Sequence, residues 1–150
     1  MPKILCSVQQ GQVPRDRWRA LESGMRATYA QHLGASTLLV AFTEVPRGQG
    51  WTEGRISDVS WLMVEVADGL PQVRREAAMR ALAAEWARVG GVRVDQILIT
   101  LCDTRMFAQY LAANRQRLRP ARRLPYLLRL AFNLWTTKRR DGVASLPANL

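Results

Sequence analysis

A proline stands directly behind the initiator methionine, and an apolar run, Ile4-Leu5-Cys6-Ser7-Val8, stands directly behind the proline. If Met1 is removed, as a small second residue normally permits, Pro2 becomes a secondary amine at the end of a strand. An α-amino group titrates near about 7.7–8.0, and partial burial or neighbouring cations disfavour its protonated form. Such an amine is a general base or nucleophile at physiological pH. A second-position proline more commonly belongs to a loose terminus, so its meaning depends on what surrounds it.

The other reactive types offer little. His32 is the single histidine; it falls at the end of a helical stretch and reads as a helix-terminal polar group rather than a catalyst. Cys6 and Cys102 lie in strand-like apolar runs with no CxxC or histidine companion, the pattern of buried, reduced thiols rather than of a zinc site or a disulfide framework. Neither a metal nor a cofactor is expected.

The elements that would position Pro2 follow in a repeated order. After Ile4–Val8, Gly11 and Pro14 punctuate. Trp18, Leu21, Met25, Tyr29 and Leu33 then recur at spacings of three and four up to Gly34, an amphipathic helix with a glycine stop. The continuous apolar run Thr37–Phe42 reads as a buried strand. After a glycine-rich loop over 46–55 the order recurs: strand Trp61–Val66; helix with Val73, Met79, Leu82, Trp86 and Val89; Gly90-Gly91 as stop; strand Ile97–Leu101. The offset of about 58 residues indicates an internal duplication. A crossover of this kind makes its two strands parallel. The expected fold is therefore α/β (α+β): two β-α-β units, about 2–45 and 59–102, forming a four-stranded, mainly parallel or mixed sheet with two helices on one face.

With 150 residues, 48% of them hydrophobic, the chain has the size of one domain with a real core. It lacks the roughly 18 consecutive apolar residues of a membrane span and a signal peptide's pattern, so a cytoplasmic location is expected. The net charge of +10 is uneven. Residues 115–140 hold nine basic side chains and no acid, leaving thirteen basic against twelve acidic elsewhere. Residues 104–118 read as helical, and Leu124–Trp135 as a second apolar stretch set off by Pro120 and Pro125. Residues 114–150 are thus a basic, helical C-terminal extension. Its apolar side chains are expected to pack on the domain or on a neighbouring subunit; contact with an anionic membrane is the alternative, and no nucleic-acid motif is present.

An N-terminal proline on the first strand of a duplicated β-α-β chain resembles the tautomerase superfamily. The layout is most similar to the cis-3-chloroacrylic acid dehalogenase group, with malonate semialdehyde decarboxylase next, and the resemblance covers about residues 2–111, within a domain of 1–113. It implies a homotrimer, with Pro2 as catalytic base and an arginine where the third strand meets the second helix. That junction reads Asp68-Gly69-Leu70-Pro71-Gln72-Val73-Arg74-Arg75. Arg74 stands at the family arginine's position and would hold a substrate carboxylate, with Arg75 as a second candidate. Tyr29 stands where the dehalogenases have a histidine and is the candidate hydroxyl acid; Asp103 is a candidate substitute for a missing acid, although a carboxylate just past a strand is commonly a turn or cap residue. Pro71 replaces a second arginine, and the water-activating glutamate is unmatched. The implied activity is proton transfer on a small enol or 2-oxo carboxylate. Decarboxylation or hydration with protonated Pro2 as acid, and a non-catalytic protein acting through its basic tail, are the alternatives. Trp51 and Arg55 of the glycine-rich loop are candidate contributions to a neighbouring subunit's site.

Overall fold

The computed structural model describes residues 1–34 and 37–147; the last three residues of the basic extension lie outside them. Strand β1 (Lys3–Gln9) leads through a 3-10 turn at Arg15–Arg17, just behind Pro14, into helix α1 (Trp18–Leu33), which ends on Gly34 in the left-handed region at φ 77°. β2 (Leu39–Val45) completes the first unit. The glycine-rich loop is not featureless: Trp51–Thr52 (β3) and Arg55–Ile56 (β4) form a small hairpin. Its two central residues, Glu53 and Gly54, both have positive φ, as the tight turn that matches strand twist requires. The second unit is β5 (Ser60–Val66), α2 (Gln72–Gly90) and β6 (Ile97–Asp103).

Within each unit the strands are parallel, β1 with β2 and β5 with β6, and the two units meet through the antiparallel pair β1–β5. The sheet order is β6-β5-β1-β2-β7. The fifth strand, β7 (Ala144–Pro147), corrects the four-strand expectation: it adds to β2 in parallel from the far end of the chain. Four residues carry too little periodicity to announce a strand, and this one depends on an edge that only the folded sheet offers.

Alternation along the strands sorts the faces. Ile4, Cys6, Val8, Val40, Phe42, Leu62, Val64 and Val66 point under α1 and α2 and form the core with Trp18, Leu21, Met25, Leu82 and Trp86. At its centre Phe42 is sandwiched by Trp18, 4.8 Å between ring centroids, and Trp86, 6.1 Å. The other face stays partly open: Trp61 is 39% and Leu98 53% exposed. Helix α3 (Thr104–Gln116) covers one end of it, seating Phe107 in full burial.

Helix α4 (Pro120–Asp141) starts with Pro120 at its first position, where the missing N–H costs nothing, and continues through Pro125, which was expected to separate two segments. Its last turns are fixed to the body. Lys138 Nζ donates to both oxygens of buried Glu22 on α1, at 2.8 and 2.7 Å, and to the Gly142 carbonyl at 2.9 Å. The Thr137 hydroxyl accepts from the Ser145 N–H and lies within hydrogen-bond distance of the Ser145 carbonyl, closing the outer edge of β7. No side chain of α4 is fully buried: Tyr126, Leu130 and Leu134 are half-buried, and Leu124, Leu128, Phe132 and Trp135 are left exposed on the single chain.

Phe42 is among the largest fully buried side chains and stacks on a ring at each side. Phe42→Ala is expected to cost about 3–5 kcal/mol of unfolding free energy in urea titrations, whereas Trp51→Ala, on the exposed hairpin, should change it by less than about 0.5 kcal/mol.

Candidate functional site

Continuing the β1–β5 register from Ile4↔Val64 sets Lys3 opposite Glu65 and Pro2 opposite Val66, and Val66 in turn pairs with Asp103 of β6. On the other side the Pro2 carbonyl accepts from Leu39 N at 3.0 Å. Pro2, Val66 and Asp103 thus form one row along the end of the sheet, with Asp103 two strands, roughly 10 Å, from Pro2. The C-terminus of α1 and the N-terminus of α2 come to the same end.

Both arginines of the β5–α2 junction reach this rim, in different ways. Arg74 is exposed and donates to the His32 carbonyl at the end of α1, 2.9 Å. Arg75 is the more enclosed, with 19% of its side chain exposed. It donates through Nε to the Leu70 carbonyl at 2.8 Å and through a terminal nitrogen to the Asp103 carboxylate, using two of the guanidinium's five N–H groups. Asp103 precedes α3 but makes no side-chain cap on it; its carboxylate turns to Arg75 instead.

Which arginine turns inward follows from helix phase. Arg75 stands three, seven and eleven residues before Ala78, Leu82 and Trp86, the buried stripe of α2, and those spacings share a face. Val73, expected on that stripe, is 80% exposed.

Tyr29 is buried, and its hydroxyl donates to the Glu65 carbonyl at 2.7 Å. Burial first, and the Glu65 charge second, push its ionisation upward. It therefore anchors the end of β5 beneath the row as a neutral phenol. His32, the helix-terminal residue, supplies only its carbonyl to these contacts.

Sequence reasoning missed a third element. The buried Glu65 carboxylate pairs with Lys3 at 3.0 Å, and Lys3 Nζ also donates to the Met1 carbonyl at 3.3 Å and lies over the Phe107 ring, 5.6 Å from its centroid. A cation is thereby held beside Pro2 on the second face of the sheet. Sixty-two residues separate Lys3 from Glu65, and no local pattern links them.

Neither of two cavities is lined by Pro2, Arg74, Arg75 or Asp103, although the smaller reaches Leu39, the residue bonded to the Pro2 carbonyl. One of about 360 Å³ sits between α1, the sheet edge and α4; one of about 460 Å³ lies at the opposite end of the sheet, lined by Gln9, Gln12, Arg47, Asp58 and Gln96. Trp51 is exposed on the hairpin, its indole N–H held by the Gly48 carbonyl at 2.9 Å, and Arg55 is also exposed. Among the described residues no group of three or more histidine, cysteine or acidic side chains is arranged to hold a metal.

No family model and no curated protein matches the sequence. Solved structures do match. A structure of Pt0534 inactivated by 2-oxo-3-pentynoate is 20% identical, with a TM-score of 0.63, and the match covers 68% of this chain and 85% of that one. A wild-type fused 4-OT, a symmetric trimer, is 17% identical, with a TM-score of 0.63 and the same coverage. N1, a member of the cis-3-chloroacrylic acid dehalogenase family, is 14% identical, with a TM-score of 0.64, covering 68% of this chain and 74% of that one. The fold is that of tautomerase-superfamily structures in their duplicated form.

Burial also raises the ionisation of the Cys6 thiol, helped by Glu22, and of the Cys102 thiol, helped by Asp103. With Tyr29, these groups keep protons in the folded chain that the unfolded chain releases. The stability they contribute is complete below about pH 8.5 and falls as pH rises past it. Urea midpoints are expected to drop between pH 7.5 and 10, with a shallower drop in Cys6→Ala; equal slopes for the two proteins would contradict this.

Proposed function

We propose that the protein, once Met1 is removed, catalyses proton transfer on a small enol or 2-oxo carboxylate with Pro2 as general base. The observation that carries this reading is the shared rim: the antiparallel register brings the Pro2 end of β1 to the point where β5 passes into α2 and its arginines. The Pro2 nitrogen takes the proton of the enol hydroxyl, and the resulting ammonium returns a proton to the substrate carbon as the carbonyl forms. Arg74, bonded among the described residues only to the His32 carbonyl, favours the neutral amine beforehand by charge repulsion, whereas the charges of Lys3 and Arg75 are balanced by Glu65 and Asp103. Arg75, already shaped around the Asp103 carboxylate, is a fixed receptor for a substrate carboxylate, with Arg74 on the solvent side as a second cation. Asp103 orients Arg75, and Tyr29 holds β5 through the Glu65 carbonyl.

General acid–base groups typically contribute about 10²–10⁴-fold. In ketonisation of phenylenolpyruvate or 2-hydroxymuconate, with loss of Met1 verified by intact mass, Pro2→Ala is expected to lose about that factor in kcat, or roughly 3–5 kcal/mol of barrier lowering. Arg75→Ala should raise KM more than Arg74→Ala does. Treatment with 2-oxo-3-pentynoate, which inactivates Pt0534, should add its mass to the Pro2 peptide. A processed protein no faster than Pro2→Ala on every such substrate would refute the proposal.

Assembly as a homotrimer belongs to the same reading. The half-open sheet face with Trp61 and Leu98, and the fused 4-OT trimer of the same fold, support it. Sedimentation at micromolar concentration is expected to give three times 16.9 kDa; a monomer alone would refute it.

A further inference from the structure

α4 leaves an apolar stripe facing outward. Leu124, Leu128, Phe132 and Trp135 follow at steps of four, four and three, which align them along one side of the helix, and they are 65%, 63%, 63% and 52% exposed. Leu127 flanks them. A second row, Arg122, Arg129 and Arg140, follows at steps of seven and eleven about a third of a turn round from the stripe, with Arg140 paired to Asp141 at 2.8 Å, and the Arg139 guanidinium stacks 4.2 Å over the Trp135 ring. At about 1.5 Å per residue the helix is about 33 Å long. No helix among the described residues is long and apolar enough to cross a membrane; this one has the make-up of a helix that lies along one.

We propose that α4 docks the protein onto an anionic lipid bilayer, with Leu124, Leu128, Phe132 and Trp135 entering the boundary between head groups and acyl chains and the arginines meeting lipid phosphates. Two observations select this occupant. The run from Arg115 to Arg140 carries nine basic residues and no acid, and the one acid of α4, Asp141, is taken by Arg140, so a second copy of α4 would meet it with like charge, and the rest of the chain, thirteen basic against twelve acidic residues, carries no net negative charge to offset it. An anionic bilayer supplies the apolar layer and the negative charge together. The stripe also continues through Trp135 into the cavity of about 360 Å³, walled by Leu39, Ala131, Leu134 and Ala144 and lined too by Arg26 and Lys138, which share the Glu22 carboxylate, and by Arg139. An apolar recess with cations along its lining is shaped for an acyl chain below an anionic head group. This surface is independent of Pro2 chemistry.

The test is flotation of the full chain with vesicles of phosphatidylcholine alone and of phosphatidylcholine with about a third phosphatidylglycerol, alongside Leu128→Asp/Phe132→Asp. Both substituted residues are exposed, so circular dichroism should be unchanged. Binding to the anionic vesicles is expected to be about tenfold or more tighter than to neutral ones, to weaken as salt rises from about 50 to 500 mM, and to fall about tenfold or more in the double variant. Equal binding to both vesicle types, or full binding by the double variant, overturns the proposal. So does a lower sedimentation mass of the double variant without lipid, which would make the stripe a contact between copies. Duplex DNA that displaces the protein from vesicles, and binds the double variant equally, would assign the arginines to nucleic acid instead.

Discussion

The antiparallel pairing of β1 with β5 is the constraint from which the rest follows. Each β-α-β unit is parallel within itself and has its helix on one face, so either unit alone would expose an apolar sheet edge. Joined through their first strands, the two place α1 and α2 side by side over one core. They also reverse direction relative to each other. The beginning of β1 therefore meets the end of β5, and a residue at the front of the chain comes level with a helix start some seventy residues later. A parallel junction would have set Pro2 beside Ser60 and left the arginines at the opposite end.

The same pairing sets the electrostatics of the rim. Lys3 and Glu65 face each other across β1 and β5 on the face opposite α1 and α2, where Phe107 of α3 lies under the Lys3 ammonium. A buried pair of this kind recovers its desolvation cost only with good geometry and further hydrogen bonds, so it is poor evidence of stabilisation. Its positional effect is firmer: it fixes an ammonium one residue from Pro2. Arg75 and Asp103 are a second such pair at the end of β5 and β6, less enclosed and tied to the Leu70 carbonyl. The row is thus flanked by two cations whose carboxylate partners come from different strands.

Much of this was legible in the sequence. The spacing of Trp18, Leu21, Met25 and Tyr29 and the stop at Gly34 mark α1 because side chains three and four apart must share the buried face; β1, β5, β6 and α2 were readable on the same grounds. The resemblance to tautomerases rested on Pro2 and the repeated order, and the solved structures share that fold. What escaped depended on partners remote in sequence. β7 exists because β2 offers an edge, and the last turns of α4 are held by Glu22 of α1 and Ser145 of β7. The choice between Arg74 and Arg75 was available in principle: the residue types are identical, but a stripe taken through Ala78, Leu82 and Trp86 instead of from Val73 and Met79 fixes the phase that turns Arg75 inward. The Lys3–Glu65 pair carried no signal at all.

The hydroxyl of Thr137 has a consequence for how the sheet meets other sheets. By accepting from the Ser145 N–H it occupies a group through which β7 would pair with another strand, while β6 at the far side keeps its outer edge unpaired among the described residues. Growth by strand addition is therefore one-sided. Two molecules joined through β6 would present a blocked edge at each end, so edge-to-edge polymerisation of the native fold stops at a pair. A fibre by that route first requires α4 to let go of β7.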